Sequence, residues 1–210
     1  MTQLIIGLAG SLRQGSYNRR LLDASVPLLA PAFGLEIHGL DGIPLYDGDV
    51  EARIGLPAAV TALKERIAPA AALLIASPEY NNGIPGPLKN AIDWLSRPVS
   101  DIPRIFGGRI VGVIGASPGR FGTLSAQQAW LPIFRTLGVV PYFGRSLTVA
   151  AANTVFGLDG SIVDGGTRER LQAYLEGFAA FVHGRPLLAD QRPPSAEPRS
   201  LPAARRLPWR

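Results

Sequence analysis

Residues 75–95 read IASPEYNNGIPGPLKNAIDWL. The small and apolar run Ala72–Ala76 feeds into Ser77-Pro78 and then a polar loop that holds both glycine and proline. Gly86-Pro87 opens a helix carrying Lys89, Asn90, Asp93 and Trp94. A buried strand that runs into a loop and then a helix is half of a parallel α/β unit. Connections of this kind commonly take only about two to six residues. The cluster Glu79, Tyr80, Asn81 and Asn82 exceeds what a corner needs, and polar loops at the carboxyl ends of parallel strands are where such sheets hold ligands.

The same alternation extends to both sides. Gln3–Gly10 is a continuous apolar run, the mark of a central strand covered on both faces. A polar loop at Ser11–Asn18 leads to a helix at Arg19–Leu29, with Leu21, Leu22, Val26 and Leu29 at helical spacing. Leu35–Leu40 makes a second strand, and Asp41–Leu56 reads as irregular and acidic. Pro57 starts a helix that closes at Pro69. Beyond the opening stretch, Arg97–Gly108 reads as a loop and Arg109–Ala116 as a fourth buried strand. A glycine-bearing loop at Ser117–Gly122 precedes one helix over Thr123–Leu137, kinked at Pro132 and capped by Gly138. Val139–Tyr142 begins a fifth strand that Ser146–Ala150 extends. Asn153–Gly165 is a surface excursion, and Thr167–Val182 is the last helix. Five strands alternating with helices predict a three-layer α/β sandwich with a parallel sheet in the order 2-1-3-4-5.

Composition narrows the function classes. The 210 residues suit one α/β domain, residues 1–183, followed by a Pro/Arg-rich tail, residues 184–210, too poor in apolar residues to order itself. The absence of cysteine excludes disulfides, thiol catalysis and cysteine metal sites. His38 and His183 lie far apart, so no metal site is expected. The net charge of +5 is mostly the tail's: residues 185–210 hold six arginines against Asp190 and Glu197, which leaves the body at +1. A nearly neutral body argues against nucleic acid as the partner. The run Leu4–Ala9 is too short for a signal peptide and no segment is long enough to span a bilayer, so a cytoplasmic protein with no membrane partner is expected.

The loops after strands one, three and four converge on one edge of such a sheet, at the switch point of the strand order. The first offers Ser11, Arg13, Ser16 and Asn18 beside a helix N-terminus, a set that suits a phosphate. It matches neither a dinucleotide glycine turn nor a P-loop, and no aspartate stands ready for magnesium, which points to a monophosphate held without metal, such as that of FMN. Simple helix capping by Ser16 or Asn18 is the plainer alternative.

GSLRQGSYN at 10–18, SPEYNNGIPGPLKNAIDWLSRP at 77–98 and the glycine loop at 117–122 together resemble the NAD(P)H-dependent FMN reductases of the flavodoxin-like fold, over roughly residues 3–183. The resemblance implies FMN as cofactor, with its phosphate at Ser11, Arg13, Ser16 and Asn18. It places the isoalloxazine along Pro78, Glu79, Tyr80, Asn81, Asn82 and Gly83, with Ser117 and Gly119 on the other side. It implies NADPH or NADH as co-substrate, ping-pong hydride transfer through flavin N5 to a quinone, free flavin, azo dye or oxyanion, and a homodimer or homotetramer. No side chain is expected as catalytic acid or base; backbone N–H groups at Asn81–Gly83 are the candidates for stabilising negative charge on the reduced ring. Thr123 departs from the family's paired glycine, and Arg120 and Phe121 are bulky for this loop. A flavodoxin-like electron carrier or FMN-binding module without NAD(P)H activity is the alternative of a different class, and a redox-inactive scaffold acting through the tail is a third. Glu79 reads as a cofactor ligand, a subunit contact or a solvated acid. Lys89, Asn90 and Asp93 read as an exposed face, Asp41–Glu51 as an acidic surface loop or the edge of a partner subunit's pocket, and Trp94 as a core or subunit-contact residue.

Overall fold

The computed structural model describes residues 2–184, and the structural statements below concern these. Strand β1 (Gln3–Ala9) buries Ile5, Ile6, Leu8 and Ala9, as a strand covered on both faces must. Helix α1 (Tyr17–Leu29) begins two residues before the expected start because Ser16 serves as its N-cap, its hydroxyl accepting the Arg19 N–H at 3.3 Å. Strand β2 (Phe33–His38) is likewise shifted toward the N-terminus, since Phe33 is a buried core residue that pairs with Gln3.

Helix α2 (Gly48–Ile54) stands where the sequence suggests irregular chain. Asp47 caps it by accepting the Asp49 N–H at 2.8 Å, yet none of its residues is buried, so it has no apolar stripe to betray it. Helix α3 (Ala58–Ile67) packs Val60, Leu63 and Ile67 inward. All five residues of β3 (Ala72–Ala76) are buried, and α4 (Gly86–Leu95) follows with Pro87 in its first turn. The expected loop at 97–108 contains a 3-10 turn at Val99–Asp101 and a short helix α5 (Ile102–Ile105).

Strand β4 (Ile110–Ala116) leads to the largest correction in the helices. The single kinked helix expected at 123–137 is two helices, α6 (Leu124–Ala129) and α7 (Leu131–Leu137), which meet at Trp130. Pro132 then falls in the first turn of α7, where its missing N–H has no intrahelical acceptor to fail. Gly138 caps α7 at φ 69°, as expected. The fifth strand is cut in two: β5 (Val140–Pro141) pairs with the start of β4 and β6 (Leu147–Val149) with its end. Between them Tyr142 turns inward and stacks edge-on against Tyr174, at 5.4 Å between ring centroids. A short helix α8 (Ala152–Val155) and the long α9 (Gly165–His183), N-capped by Asp164, complete the body. Beyond Gly184, the Pro/Arg-rich segment lies outside the described residues.

The sheet is parallel, in the order β2-β1-β3-β4-β5 with β6 also on β4. The sequence-based order is therefore borne out. One core packs α1 and α9 on Ile5, Leu74 and Ile114; the other packs α3, α4 and α7 on Ile6, Leu73 and Val111. Arg109 locks the edge remote from the ligand-holding one. Buried at the start of β4, its guanidinium donates to the carbonyls of Ala68, Ala70, Arg104 and Ile105, and burial pushes its pKa down to about 10. It still carries its charge at neutral pH.

Candidate active site

The carboxyl ends of the strands are tied to one another before any loop begins. Gly10 N–H donates to Ala76 O at 3.0 Å, Ser77 N–H to Ile114 O at 2.9 Å, and Ser117 N–H to Val149 O at 2.9 Å. A Cβ on Gly10 would stand 2.8 Å from Pro78 Cδ and 2.6 Å from Leu88 Cδ2, so only glycine lets the second loop come this close to β1. Gly115 has the same role toward the third loop, where a Cβ would lie 2.1 Å from Thr123 Oγ1 and 2.5 Å from Ser77 O.

The first loop folds on itself and leaves donors outward. Ser11 Oγ accepts the Arg13 N–H at 3.2 Å and Ser16 Oγ accepts the Arg19 N–H, so both hydroxyl hydrogens remain to be donated. The Arg13 side chain is exposed and, among the described residues, makes no ion pair. Asn18 is different. It is buried, its amide is spent on Ala116, and only its backbone N–H, with that of Tyr17, is left by the start of α1 for a ligand.

The second loop is a tight turn. Tyr80 and Gly83 exchange N–H···O bonds of 3.2 and 3.0 Å, with Asn81 and Asn82 at φ 51° and 58°. Positive φ at both central positions makes this a type I′ turn, which asparagine tolerates better than most residues. The turn uses the Gly83 N–H and leaves those of Asn81 and Asn82. Of the three backbone donors suggested by the sequence, one is therefore committed. Pro78 is buried, whereas Tyr80 is 47 % exposed at the rim. Glu79 is half-buried, its carboxylate accepting the Ala126 N–H at 2.9 Å.

The third loop is pinned at its base and open at its tip. Ser117 Oγ accepts the Gly119 N–H at 3.1 Å, and Gly119 O accepts from Ala151, itself held at φ 47°. Gly122, at φ 62°, lies against Thr148 and Val149. Between these anchors Arg120 and Phe121 project outward, the phenyl ring 73 % exposed.

The chain after β2 is also tied down, by contacts that have no signal in the sequence. It is strapped to α4: Pro44 O accepts from Asn90 Nδ2 at 2.8 Å and from Trp94 Nε1 at 2.9 Å, and Tyr46 N–H donates to Asn90 Oδ1 at 2.8 Å. Tyr46 packs edge-on against Trp94 and donates its hydroxyl to Glu51, which Arg97 also binds at 2.8 Å. Hydrogen bonding from Arg97 holds the Glu51 carboxyl below its ordinary range. Asn90 thus has a packing duty that an exposed helix face does not, and Trp94 is a core residue within the chain.

Each of the three loops carries one exposed apolar or aromatic side chain: Leu12 (55 %), Tyr80 and Phe121. With hydroxyl, guanidinium and helix-end donors on one flank and free backbone donors on the other, the residues fit FMN, a planar ring system carrying a phosphate. Among the described residues no cluster of acids and histidines could hold a metal ion.

The profile of the NADPH-dependent FMN reductase family matches residues 4–154. The chain is 40 % identical over 178 residues to an NAD(P)H-dependent FMN reductase of Pseudomonas aeruginosa, covering 85 % of this chain and 94 % of that protein. It is 35 % identical over 185 residues to a 2-hydroxy-1,4-benzoquinone reductase of a Burkholderia species, covering 88 % and 99 %. Among solved structures, the flavoenzyme NAD(P)H:(acceptor) oxidoreductase FerB of Paracoccus denitrificans superposes with a TM-score of 0.76 at 31 % identity, covering 87 % and 98 %. By its profile match over residues 4–154 and its identity to these relatives, the chain belongs to the NADPH-dependent FMN reductase family.

Proposed function

We propose that this chain holds FMN between its three loops and uses NADPH or NADH to reduce a quinone or another small acceptor such as free flavin, an azo dye or an oxyanion. The observation that carries the reading is that three polar loops follow the adjacent parallel strands β1, β3 and β4, the first of them with Arg13 and the N-terminus of α1. Arg13, the hydroxyls of Ser11 and Ser16 and the N–H groups of Tyr17 and Asn18 bind the phosphate. Pro78, Glu79, Tyr80, Asn81, Asn82 and Gly83 form one wall for the ring, and Ser117 and Gly119 the other. FMN, when bound, supplies hydride acceptance from the nicotinamide and later delivery to the acceptor. The chain's part is to orient the ring, to exclude water from it, and to present the Asn81 and Asn82 N–H groups where negative charge gathers on reduction. The oxidised nicotinamide leaves before the acceptor takes its place, so the kinetics are ping-pong, and no side chain is required as acid or base. Assembly as a homodimer or homotetramer in the cytoplasm belongs to the same reading, and light scattering on the purified protein tests the assembly.

Steady-state rates decide the main point. FMN-loaded protein should oxidise NADPH in the presence of benzoquinone, with parallel reciprocal plots as the quinone concentration is varied. A protein that stays colourless after incubation with FMN, or a yellow one that NADPH leaves oxidised, contradicts the proposal.

A further inference from the structure

Glu79 reaches from the second loop to the helix behind the third. Its Oε2 accepts the backbone N–H of Ala126 at 2.9 Å, across 47 residues of chain. Ala126 is fully buried and is the third residue of α6, so its N–H is one that a helix start leaves without an intrahelical acceptor. The residue at the cap position normally meets that need with its own side chain. Here Thr123 makes no such bond. Its hydroxyl accepts from Gln127 Nε2 at 3.2 Å and is wedged against β4 at Gly115. The cap of α6 is supplied from the facing loop instead, by a carboxylate.

A second tie runs in parallel. Ser77 Oγ, buried at the end of β3, accepts from Trp130 Nε1 at 3.1 Å, where α6 gives way to α7. Two consecutive turns of the α6–α7 pair are thus fastened to the strand end and loop that carry Tyr80. The third loop lies between these fixed points: its entry is held by Ser117 on Val149, and its exit runs straight into α6. The loops that carry Tyr80 and Phe121 are therefore linked through the Glu79 carboxylate as well as through Ser77 and Trp130.

We propose that Glu79 is a positioning residue, which caps α6 across the crevice and so sets the gap between the second and third loops that admits the nicotinamide. The inference rests on the flavin-reductase reading but is carried by contacts within the chain. Losing the cap shifts the second and third loops while leaving Ser11, Arg13 and Ser16 in place, so it alters nucleotide binding even where saturating FMN keeps the site filled.

The test uses FMN-free and FMN-loaded full-length protein and three variants. In the FMN-free protein, Glu79→Ala should speed amide hydrogen exchange at Ala126, and Glu79→Gln, whose amide oxygen can accept the same N–H, should restore it. In protein saturated with FMN, Glu79→Ala should raise the KM for NADPH about tenfold, as expected for misplaced binding elements, with a smaller change in kcat. Glu79→Gln should return KM toward wild type. Glu79→Asp, one methylene short of Ala126, should behave like the alanine variant and replaces it if that variant does not fold. Unchanged exchange at Ala126 overturns the cap. Faster exchange with an unchanged KM, or a glutamine variant that behaves like alanine, overturns the positioning role. Failure of the flavin reading shows itself separately, as a wild-type protein inert to NADPH whose exchange rates still decide the cap.

Discussion

Asn18 and Ala116 exchange two hydrogen bonds across 98 residues of chain: Asn18 Nδ2 donates to Ala116 O at 2.9 Å, and Ala116 N–H donates to Asn18 Oδ1 at 2.9 Å. A side-chain amide thus imitates a strand at the point where β4 ends and the third loop starts, and it joins the first loop to the third. Both groups are buried. Asn18→Ala leaves a backbone donor and acceptor unmet and should cost about 2–6 kcal/mol, at roughly 1–3 kcal/mol for each buried group left unsatisfied. The shift in urea midpoint measures it. Asn18→Asp keeps the acceptor, loses the donor and should lie between alanine and wild type; equal stability of all three would contradict the arrangement.

This pair also marks the limit of what the sequence discloses. The order of strands, the three loops and the helix after Ser77 follow from runs of apolar residues and the breaks between them, because each is a local pattern. Asn18 stood out, but as a phosphate ligand or a cap; its partner is a backbone group that no periodicity could name. The same holds for Glu79 on Ala126 and for Asn90 and Trp94 on Pro44, where the acceptor or donor is main chain at long range. Helix α2 escaped notice for the opposite reason, since a helix that buries nothing has no stripe. Pro132 suggests a kink inside one helix, whereas its place in the first turn of α7 depends on Trp130 packing into the core and stacking on Phe134.

Gly10 is the hinge between β1 and the second loop. In Gly10→Ala the new methyl meets Pro78, Leu88 and the Ala76 carbonyl, all below 3.0 Å. Overpacking of this kind typically costs about 1–3 kcal/mol. Pushing the second loop away should also lower FMN affinity, as read from fluorescence quenching on titration with FMN. An alanine variant with wild-type stability and wild-type affinity would mean that the close approach has no consequence.

The Asn81-Asn82 turn holds two residues at positive φ without glycine. Asn82→Gly should be neutral or stabilise the protein by up to about 1 kcal/mol, because glycine relieves the left-handed strain of the type I′ turn. Asn81→Val should destabilise it by about 1–2 kcal/mol. Thermal unfolding of the two variants compares them; destabilisation by the glycine and tolerance of the valine would rule out the turn.

Lys64 is buried and binds Asp101 at 2.6 Å, and it also donates to the carbonyl of Arg97. The hydrogen bond from Lys64 holds the Asp101 carboxyl below its ordinary range. The folded-state value is the lower one, so this contact stabilises the fold above the unfolded carboxylate pKa of about 3.9. It is lost as pH falls through the folded value. Lys64→Met should therefore be less stable than wild type at neutral pH, and the gap should narrow below about pH 3.9. Urea unfolding at neutral and acid pH gives both numbers; a gap that widens in acid would show that Asp101 contributes nothing through Lys64.

The central claim is that the three-loop crevice holds FMN and that NAD(P)H reduces it there. The most direct measurement is an anaerobic titration of the FMN-loaded protein with NADPH, followed by the visible flavin absorbance, with Arg13→Ala in parallel. The account predicts stoichiometric bleaching of wild type, return of the band on adding quinone, and weaker FMN retention in Arg13→Ala. A flavin band that NADPH does not bleach, or FMN held equally well without Arg13, would contradict it.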